Sequence, residues 1–261
     1  MTETIAILDL ETTGVNTETC ELVEVAALKL RGDFPGPLEV VDSFWSLVKP
    51  EGPIPPEASA VHHLVAADLA GAPSAVVAMC NQEGCLVDFM RGVDVAVGHN
   101  INNYDAPILE RLGVSLPPLL DTLRLAHHAW PQLEQVGEST PSYGLEALRF
   151  RFGLAPNSMD WAAMAGPGDS RFRPHGAAFD VSACRVLLDH CVEALAINGM
   201  KATTYADLAA GSLKPYRVHV MPFGKHRGDE LKDVPRSYLR WALGNMKELD
   251  ADLAASMRAC M

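Results

Sequence analysis

Residues 7–14 read Ile-Leu-Asp-Leu-Glu-Thr-Thr-Gly, and this stretch places two acids, Asp9 and Glu11, in an otherwise apolar strand. Side chains alternate between the two faces of a β-strand, so both acids project from one face with Cα atoms about 6.5 Å apart. Carboxylates at this spacing can hold a pair of hard divalent cations about 3.5–4 Å apart. The alternative is a solvated strand end with ordinary surface acids, but the apolar residues that precede them favour a metal site.

A third acid follows a second apolar run. Residues 94–98 suit a short buried strand, and Asp105 comes after them at the start of a predicted helix. A carboxylate at this helix N-terminus does not oppose the helix dipole and can reach a site at the carboxyl end of the sheet. Asp105 could instead serve only as a helix cap, and the local motif leaves both interpretations open.

His175 and Asp180 form the third element of the pattern. Five helical steps turn through about 500°, so one continuous helix would separate the two side chains by some 140°. The sequence therefore predicts His175 in a loop and Asp180 on the helix that follows. A histidine on such a loop suits a general base that engages when substrate is present, whereas alone it would be a plain surface residue.

The order of predicted elements indicates a mixed α/β domain with one central sheet. Strands are predicted over 4–10, 22–31 and 38–48, and the turn-forming residues at 32–37 favour an antiparallel meander. The segment 153–174 carries Gly, Pro and Arg and is expected to be a mobile flank of the active site. One helical pattern begins at Pro55, and further helical patterns cover 72–90, 105–112, 121–130, 143–152, 177–197 and 205–210.

Composition and charge bound the class of protein. The chain has 261 residues and a net charge of −12, which taken alone argues against a nucleic-acid partner. The charge is unevenly distributed: residues 1–213 hold 12 basic and 27 acidic side chains, whereas residues 214–247 hold 8 basic and 3 acidic ones. No apolar run is long enough to span a bilayer and the six cysteines lack zinc-site spacing, so we expect an intracellular, cytoplasmic protein without a membrane partner.

Three motifs together resemble the DEDDh (DnaQ-like) family of 3′–5′ exonucleases. They are Asp9-x-Glu11-Thr-Thr-Gly, His99-Asn100-(x3)-Tyr104-Asp105-x-Pro107 and His175-(x4)-Asp180. The spacing of the middle motif and the tetrapeptide at 142–145 are similar to the TREX-type branch of that family. The resemblance implies a ribonuclease-H-like α/β fold with a central mixed five-stranded sheet flanked by helices.

The same resemblance implies the roles of individual residues. Asp9, Glu11, Asp105 and Asp180 would bind two Mg²⁺ or Mn²⁺ ions, and His175 would take a proton from the attacking water. The residues implied to contact the terminal nucleotide or to support the site are Thr12, Thr13, Gly14, His99, Asn100 and Tyr104.

A second resemblance lies in the basic C-terminal part. The stretches 221–228 and 235–241 are similar to the C-terminal module of the bacterial exodeoxyribonuclease X family. We therefore expect an exonuclease domain over 1–200, a linker over 201–213 and a small basic α+β unit with its tail over 214–261, called the C-terminal module below. Its aromatic residues could form its own core or stack on bases. The residues predicted to contact nucleic acid are Lys225, Arg227 and Arg240.

These observations predict a nuclease that releases nucleoside 5′-monophosphates from DNA with a free 3′ end, single-stranded or duplex, in DNA repair. RNA as the substrate and a catalytically silent nucleic-acid-binding adaptor are the alternatives. An adaptor would gain by losing the buried acids, so their presence favours the enzyme. The oligomeric state stays open.

Overall fold

The structure is a computed structural model that describes residues 1–80, 83–133, 142–156, 172–246 and 249–261. Its centre is a five-stranded sheet with the strands β1 (Thr2–Thr12), β2 (Leu22–Asp33), β3 (Glu39–Leu47), β4 (Val95–Gly98) and β5 (Leu119–Asp121). The strand order is β3-β2-β1-β4-β5. The first three strands form the predicted antiparallel meander, and β1, β4 and β5 run parallel, so the sheet is mixed as expected.

Helices cover both faces of this sheet. They are α1 (Pro56–His62), α2 (Ala75–Cys80), α3 (Leu86–Phe89), α4 (Asp105–Arg111), α5 (Thr122–Ala129), α6 (Leu145–Phe152), α7 (Ala177–Ile197), α8 (Tyr205–Ser212), α9 (Arg236–Asn245) and α10 (Ala251–Ala259). The helices α5 to α8 pack on one face around a large apolar core, and α2 to α4 pack on the other face. Within the described part of the chain, no helix has the length and apolar character that crossing a bilayer requires.

Strand β1 is buried on both faces and separates the two cores. Ile5 and Ile7 lie in the core that includes α7, whereas Leu8 lies in the core that includes α4. Because side chains alternate along a strand, Asp9 and Glu11 continue the row of Ile5 and Ile7. The two acids therefore face α7 at the end of the strand.

Two details differ from the elements predicted along the sequence, and a third prediction is only partly covered by the structure. The pattern over 72–90 forms two short helices, α2 and α3, and Gly84 between them has a φ of +79°, which does not continue a right-handed helix. Strand β5 is only three residues long, too short to show a period of two. Of the predicted mobile flank 153–174, residues 157–171 lie outside the described residues.

Helix α8 lies in the segment predicted as a linker, but it packs as part of the sheet domain. Tyr205 and Leu208 are buried in the core that includes α7. The Glu3 carboxylate accepts hydrogen bonds from the Tyr205 and Ala206 backbone N–H groups at 2.7 and 3.1 Å. An acid is favourable at the free N–H groups of a helix N-terminus. We therefore propose Ser212 as the end of the first domain.

The C-terminal module has its own small core. Met221, Leu231, Leu239 and Met257 are fully buried there, and α9 and α10 supply most of its helical part. In the described residues, the β-structure of this module is an isolated antiparallel bridge between Val220 and Glu230. The module therefore contains far more helix than strand.

Arg124 of α5 holds the C-terminal module against the sheet domain. Its Nη1 atom lies 2.8 Å from Asp252 Oδ2 and its Nη2 atom lies 3.1 Å from Asp252 Oδ1. Arg124 Nε also donates to the Ser212 carbonyl at 2.8 Å. Beside this pair, the rings of His127 and Tyr216 stack with centroids 4.0 Å apart. These contacts dock the module on α5.

Replacing Asp252 by alanine is expected to lower the free energy of unfolding by about 2–4 kcal/mol, because Arg124 would stay mostly buried without its partner. The Tyr216 backbone N–H, 3.1 Å from Asp252 Oδ1, would lose its acceptor as well. Urea unfolding measures the effect. Asp233→Ala, at an exposed acid of the same module, is the control and should cost under about 0.5 kcal/mol. Equal stability of the two variants would show that the Arg124 pair does not hold the module.

Candidate active site

Three carboxylates meet beyond the end of β1. Asp9 and Glu11 come from that strand, and Asp180 lies in the first turn of α7. One ligand oxygen from each of the three lies within 4.8 Å of the other two, and all three residues are partly buried. Carboxylate oxygens at these distances suit a hard divalent cation.

Asp105 lies beside this cluster but is not a member of the 4.8 Å set found among the described residues. It is the first residue of α4, its exposed fraction is 2%, and it helps to raise the pKa of Asp9 by charge repulsion. The buried Oδ1 atoms of Asp105 and Asp180 have no hydrogen-bond partner in the described part of the chain. The structure therefore brings together the four acids that the sequence analysis named, and two of their buried oxygens are free to bind a cation.

Burial and mutual repulsion change the ionisation of these acids. Burial, followed by the charges of Asp180 and other acids, raises the pKa of Asp9 well above its usual value. For Glu11, burial and then Asp180 and Glu24 raise the pKa to about 9. Burial is also the largest cause that raises the pKa of Asp105 and of Asp180 to about 7. These acids resist ionisation together, and a cation bound among them would favour their ionised forms.

The raised pKa values predict that the metal-free protein loses stability as the pH rises. In the unfolded chain these carboxyls ionise near pH 4, whereas the folded protein keeps its protons up to about pH 7 for Asp105 and Asp180 and about pH 9 for Glu11. The folded state binds more protons in this window, so stability is largest at its acidic end and falls through it.

Thermal melts in EDTA from about pH 5 to about pH 8 test this expectation, and the melting temperature should fall over that range. Glu11→Gln should reduce the dependence, and added Mn²⁺ should oppose the fall at the upper end, because metal binding replaces protons. A melting temperature in EDTA that rises across the same range would show that these acids do not repel one another in the folded protein.

Glu24 is a buried acid of this region that the sequence analysis did not single out. It pairs with Glu11 across β1 and β2 and is 3% exposed. Its Oε1 atom accepts a hydrogen bond from Trp45 Nε1 at 2.7 Å, and its Oε2 atom accepts one from the Ala177 backbone N–H at 3.2 Å. Glu24 therefore holds the start of α7, which carries Asp180. An acid within the apolar run of 22–30 was the available signal.

The residues implied to bind the terminal nucleotide form a small cluster after β1. Tyr104 Oη donates to the Gly14 carbonyl at 2.9 Å and lies 2.5 Å from Thr12 Oγ1. Thr13 Oγ1 accepts from the Glu21 backbone N–H at 3.0 Å, which fixes the other side of the turn. The structure thus brings Thr12, Gly14 and Tyr104 together.

Asp121, which was not predicted as a site residue, organises the loop with His99 and Asn100. Its Oδ1 atom accepts from the Asn100 backbone N–H at 2.9 Å and from the Leu123 backbone N–H at 2.9 Å, so it also caps α5. His99 Nδ1 lies 3.0 Å from Thr122 Oγ1, and burial lowers the pKa of His99 to about 4, which keeps the imidazole neutral. An acid at the end of a short apolar run and before a helix was a recognisable N-cap signal.

His175 lies in the turn that precedes α7, five residues before Asp180, as predicted. It is exposed and has a φ of +60°, a left-handed backbone conformation that is uncommon outside glycine. The backbone of His175 also donates a hydrogen bond to the Asp180 carboxyl, which opposes the rise of its pKa. His175 and Asp180 thus belong to one local unit, although the role of the imidazole stays a prediction.

Comparison with known proteins identifies the two parts of the chain. The family model described as "Exonuclease" matches residues 6–160, a range that includes Asp9, Glu11 and Asp105 and ends before His175 and Asp180. The family described as "Putative quorum-sensing-regulated virulence factor" matches residues 212–245 in the C-terminal module. The first match confirms the exonuclease family that the sequence motifs predicted.

Curated relatives and solved structures agree with this assignment. Exodeoxyribonuclease 10 of Escherichia coli (strain K12) is 24% identical over 94% of this chain and 96% of its own length. DNA polymerase III PolC-type of Clostridium perfringens (strain 13 / Type A) is 28% identical over 50% of this chain and 9% of its own length. A structure of exonuclease I has the same fold, with a TM-score of 0.55 and 16% identity over 75% of this chain and 44% of that one.

Proposed function

The chain belongs to the exonuclease family, and from this premise we propose that it is a metal-dependent 3′–5′ exodeoxyribonuclease. It would release nucleoside 5′-monophosphates from DNA with a free 3′ end. The names of its relatives favour this substrate, since one is an exodeoxyribonuclease and another a DNA polymerase. A DNA substrate in turn favours a cytoplasmic role in DNA repair.

One observation carries the proposal: one oxygen each of Asp9, Glu11 and Asp180 converge within 4.8 Å, and beside them the Oδ1 atom of Asp105 has no hydrogen-bond partner in the described residues. Asp9, Glu11 and Asp180 would hold one Mg²⁺ or Mn²⁺ ion, Asp9 would bridge to a second, and Asp105 would support that second ion directly or through water. When bound, the ions supply positive charge to the attacking and leaving oxygens of the phosphate.

The remaining work falls to side chains around the carboxylates. We assign to His175 the role of accepting the proton of the attacking water, and its place in the turn before α7, five residues from Asp180, supports this role. Glu24 holds the first turn of α7 next to β2, because its carboxylate accepts a hydrogen bond from the Ala177 N–H. Asp121 holds the backbone that carries Asn100. Thr12, Thr13 and Gly14 line the place of the terminal nucleotide.

Gly14 offers a direct test of that placement. Apart from its two chain neighbours, a Cβ atom built on Gly14 meets no atom of the described residues within 4 Å, so an alanine there has space in the free protein. Gly14→Ala is expected to leave the melting temperature unchanged and to raise KM about tenfold, because the methyl group would occupy space for the nucleotide. Gly71→Ala, at a glycine with equally open surroundings, is the control. An unchanged KM for Gly14→Ala would exclude the nucleotide from this position.

A degradation assay tests the proposed function as a whole. Single-stranded DNA, duplex DNA and RNA, each labelled at either the 5′ or the 3′ end, are incubated with Mg²⁺, with Mn²⁺ or with EDTA. The proposal predicts that a 3′ label is released first as a mononucleotide, that a 5′ label leaves a descending ladder, and that EDTA stops both. Release from the 5′ end, preference for RNA, or binding without cleavage in either metal would each contradict it.

A further inference from the structure

The C-terminal module exposes one of its aromatic side chains. Phe223 and Tyr238 pack against the apolar core of the module, so these two rings stabilise its fold. Trp241 of α9 is instead 52% exposed. The sequence allowed two uses for these aromatic residues, packing in the core or stacking on bases. Phe223 and Tyr238 have the first use, and of these three rings only Trp241 presents a large area to solvent.

The exposed ring has a firm base. Trp241 contacts Tyr238 with ring centroids 5.4 Å apart, and Tyr238 in turn meets His226 with centroids 4.7 Å apart at 69°. Gly224 has a φ of +69°, and any side chain there would collide with the Tyr238 hydroxyl. This close approach fixes the position of the Tyr238 ring, which contacts the Trp241 ring. A Trp241 ring held by such a contact loses little further conformational freedom when another flat group stacks on it.

Helix α9 and the residues near Tyr238 carry three cations. Arg240 and Arg236 precede Trp241 by one and five residues, so their side chains leave the helix about 100° and 140° around from the Trp241 ring and about 40° from each other. Lys225 Nζ lies 5.3 Å from the centroid of the Tyr238 ring. Both arginines and Lys225 are exposed, and none of them forms an ion pair with an acid of the described ranges.

This arrangement contrasts with the rest of the chain. Helix α9 contains two arginines and no acidic residue, whereas residues 1–213 carry more than twice as many acids as bases. Exposed cations without an acidic partner in the described residues can bind phosphates, and an exposed indole can stack on a base of any identity. A duplex keeps its bases stacked inside and cannot offer such a face except at its end.

We propose that the C-terminal module binds single-stranded DNA outside the catalytic site, on a surface that crosses α9 from Trp241 to Arg240 and Arg236, with Lys225 beside Tyr238. The arginines and Lys225 contact phosphates, and Trp241 stacks on a base. The identity of the bound strand as the substrate rests on the proposed exonuclease function.

Binding of two strands of equal charge separates stacking from electrostatics. Full-length protein in EDTA is titrated against a fluorescently labelled oligothymidylate and against an abasic strand of the same length, with anisotropy as the readout. Trp241→Ala is expected to weaken binding of the oligothymidylate about 5- to 100-fold and to leave the abasic strand almost unchanged. Trp241→Phe should recover part of the affinity. Leu213→Ala, at an exposed apolar residue of the chain, is the matched control.

The arginines should act equally on both strands. The double variant Arg236→Gln and Arg240→Gln is expected to weaken the binding of both strands. It should also reduce the slope of log K against log salt by about 0.7 per lost phosphate contact. Arg258→Gln, an exposed arginine on α10 of the same module, should change neither value. Point variants are used because removal of the module would expose the face of α5 that carries Arg124, which the module covers.

Three outcomes would overturn the inference. They are unchanged oligothymidylate binding by Trp241→Ala, an equal loss on the abasic strand, and displacement of the DNA by polyglutamate in a Trp241-dependent manner, which would assign the surface to an acidic protein. Nuclease activity of the same protein in Mg²⁺ is measured in parallel. Loss of the proposed function would appear there as absent cleavage, whereas failure of this inference would appear only in the binding data.

Discussion

Replacing Asp9 by asparagine is expected to lower turnover by at least about 10³-fold, and replacing Asp180 by asparagine should do the same. Each substitution keeps the volume of the side chain but removes one negative charge from the cluster whose oxygens lie within 4.8 Å of one another. The stabilisation of transition-state charge that a bound ion supplies amounts to several kcal/mol, and each 1.36 kcal/mol corresponds to a tenfold change in rate. Single-turnover cleavage of a 3′-labelled strand measures the loss.

The fold should survive both substitutions. Because burial, and after it repulsion from nearby acids, raises the pKa of Asp9 and of Asp180, removal of either ionisable group should raise the melting temperature in EDTA at neutral pH. Asp42→Asn, at an exposed acid of β3, is the control and should leave both activity and stability unchanged. Cleavage by either site variant at the parent rate would remove the carboxylate cluster from the mechanism.

Replacing His175 by alanine is expected to reduce the rate about 10²- to 10⁴-fold while metal binding is retained, which is the range for loss of one general base. His175 is exposed and contributes no apolar burial, so the loss should come from chemistry. Single-turnover rates at saturating substrate, with Mn²⁺ binding measured on the same protein, check both parts of this expectation.

The left-handed backbone at His175 requires a second variant. Alanine is less favourable than asparagine at a φ of +60°, so His175→Asn preserves the turn while it removes the base. We expect the alanine and asparagine variants to lose similar rate and to bind Mn²⁺ with the affinity of the parent. An alanine variant that is slow beside an asparagine variant that is fully active would assign His175 a role in the turn alone.

The sheet and most helices could be predicted because their patterns are local. The apolar run of 22–30 and the alternation around Asp9 are visible in neighbouring residues, and the structure places β1 and β2 there. Strand β5 has three residues and gains its stability from pairing with β4, which no local pattern records. The same holds for α8, whose helical pattern was visible but whose burial against the sheet domain depends on Glu3 at the other end of the chain.

The residues of the candidate site were likewise only partly predictable from the sequence. Asp9 and Glu11 could be named from the sequence because carboxylates in an apolar strand are conspicuous and their spacing follows strand geometry, whereas Asp105 and Asp180 were added to the set through the resemblance to the exonuclease motifs. Glu24 and Asp121 were missed because they act on parts of the chain that are distant in sequence. Glu24 contacts the N–H of Ala177, and Asp121 contacts the N–H of Asn100.

The sequence by itself therefore determined the candidates for the chemistry: which acids are expected to bind a cation, which histidine is expected to accept a proton, and which unit carries positive charge. Only the tertiary structure decided how these groups meet. It brought Asp180 to Asp9 and Glu11, docked the C-terminal module on Arg124 and turned Trp241 to solvent while Tyr238 was packed below it. The reason is physical: ionisation and local backbone preference belong to single residues, whereas burial and long-range hydrogen bonds exist only after distant segments have packed together.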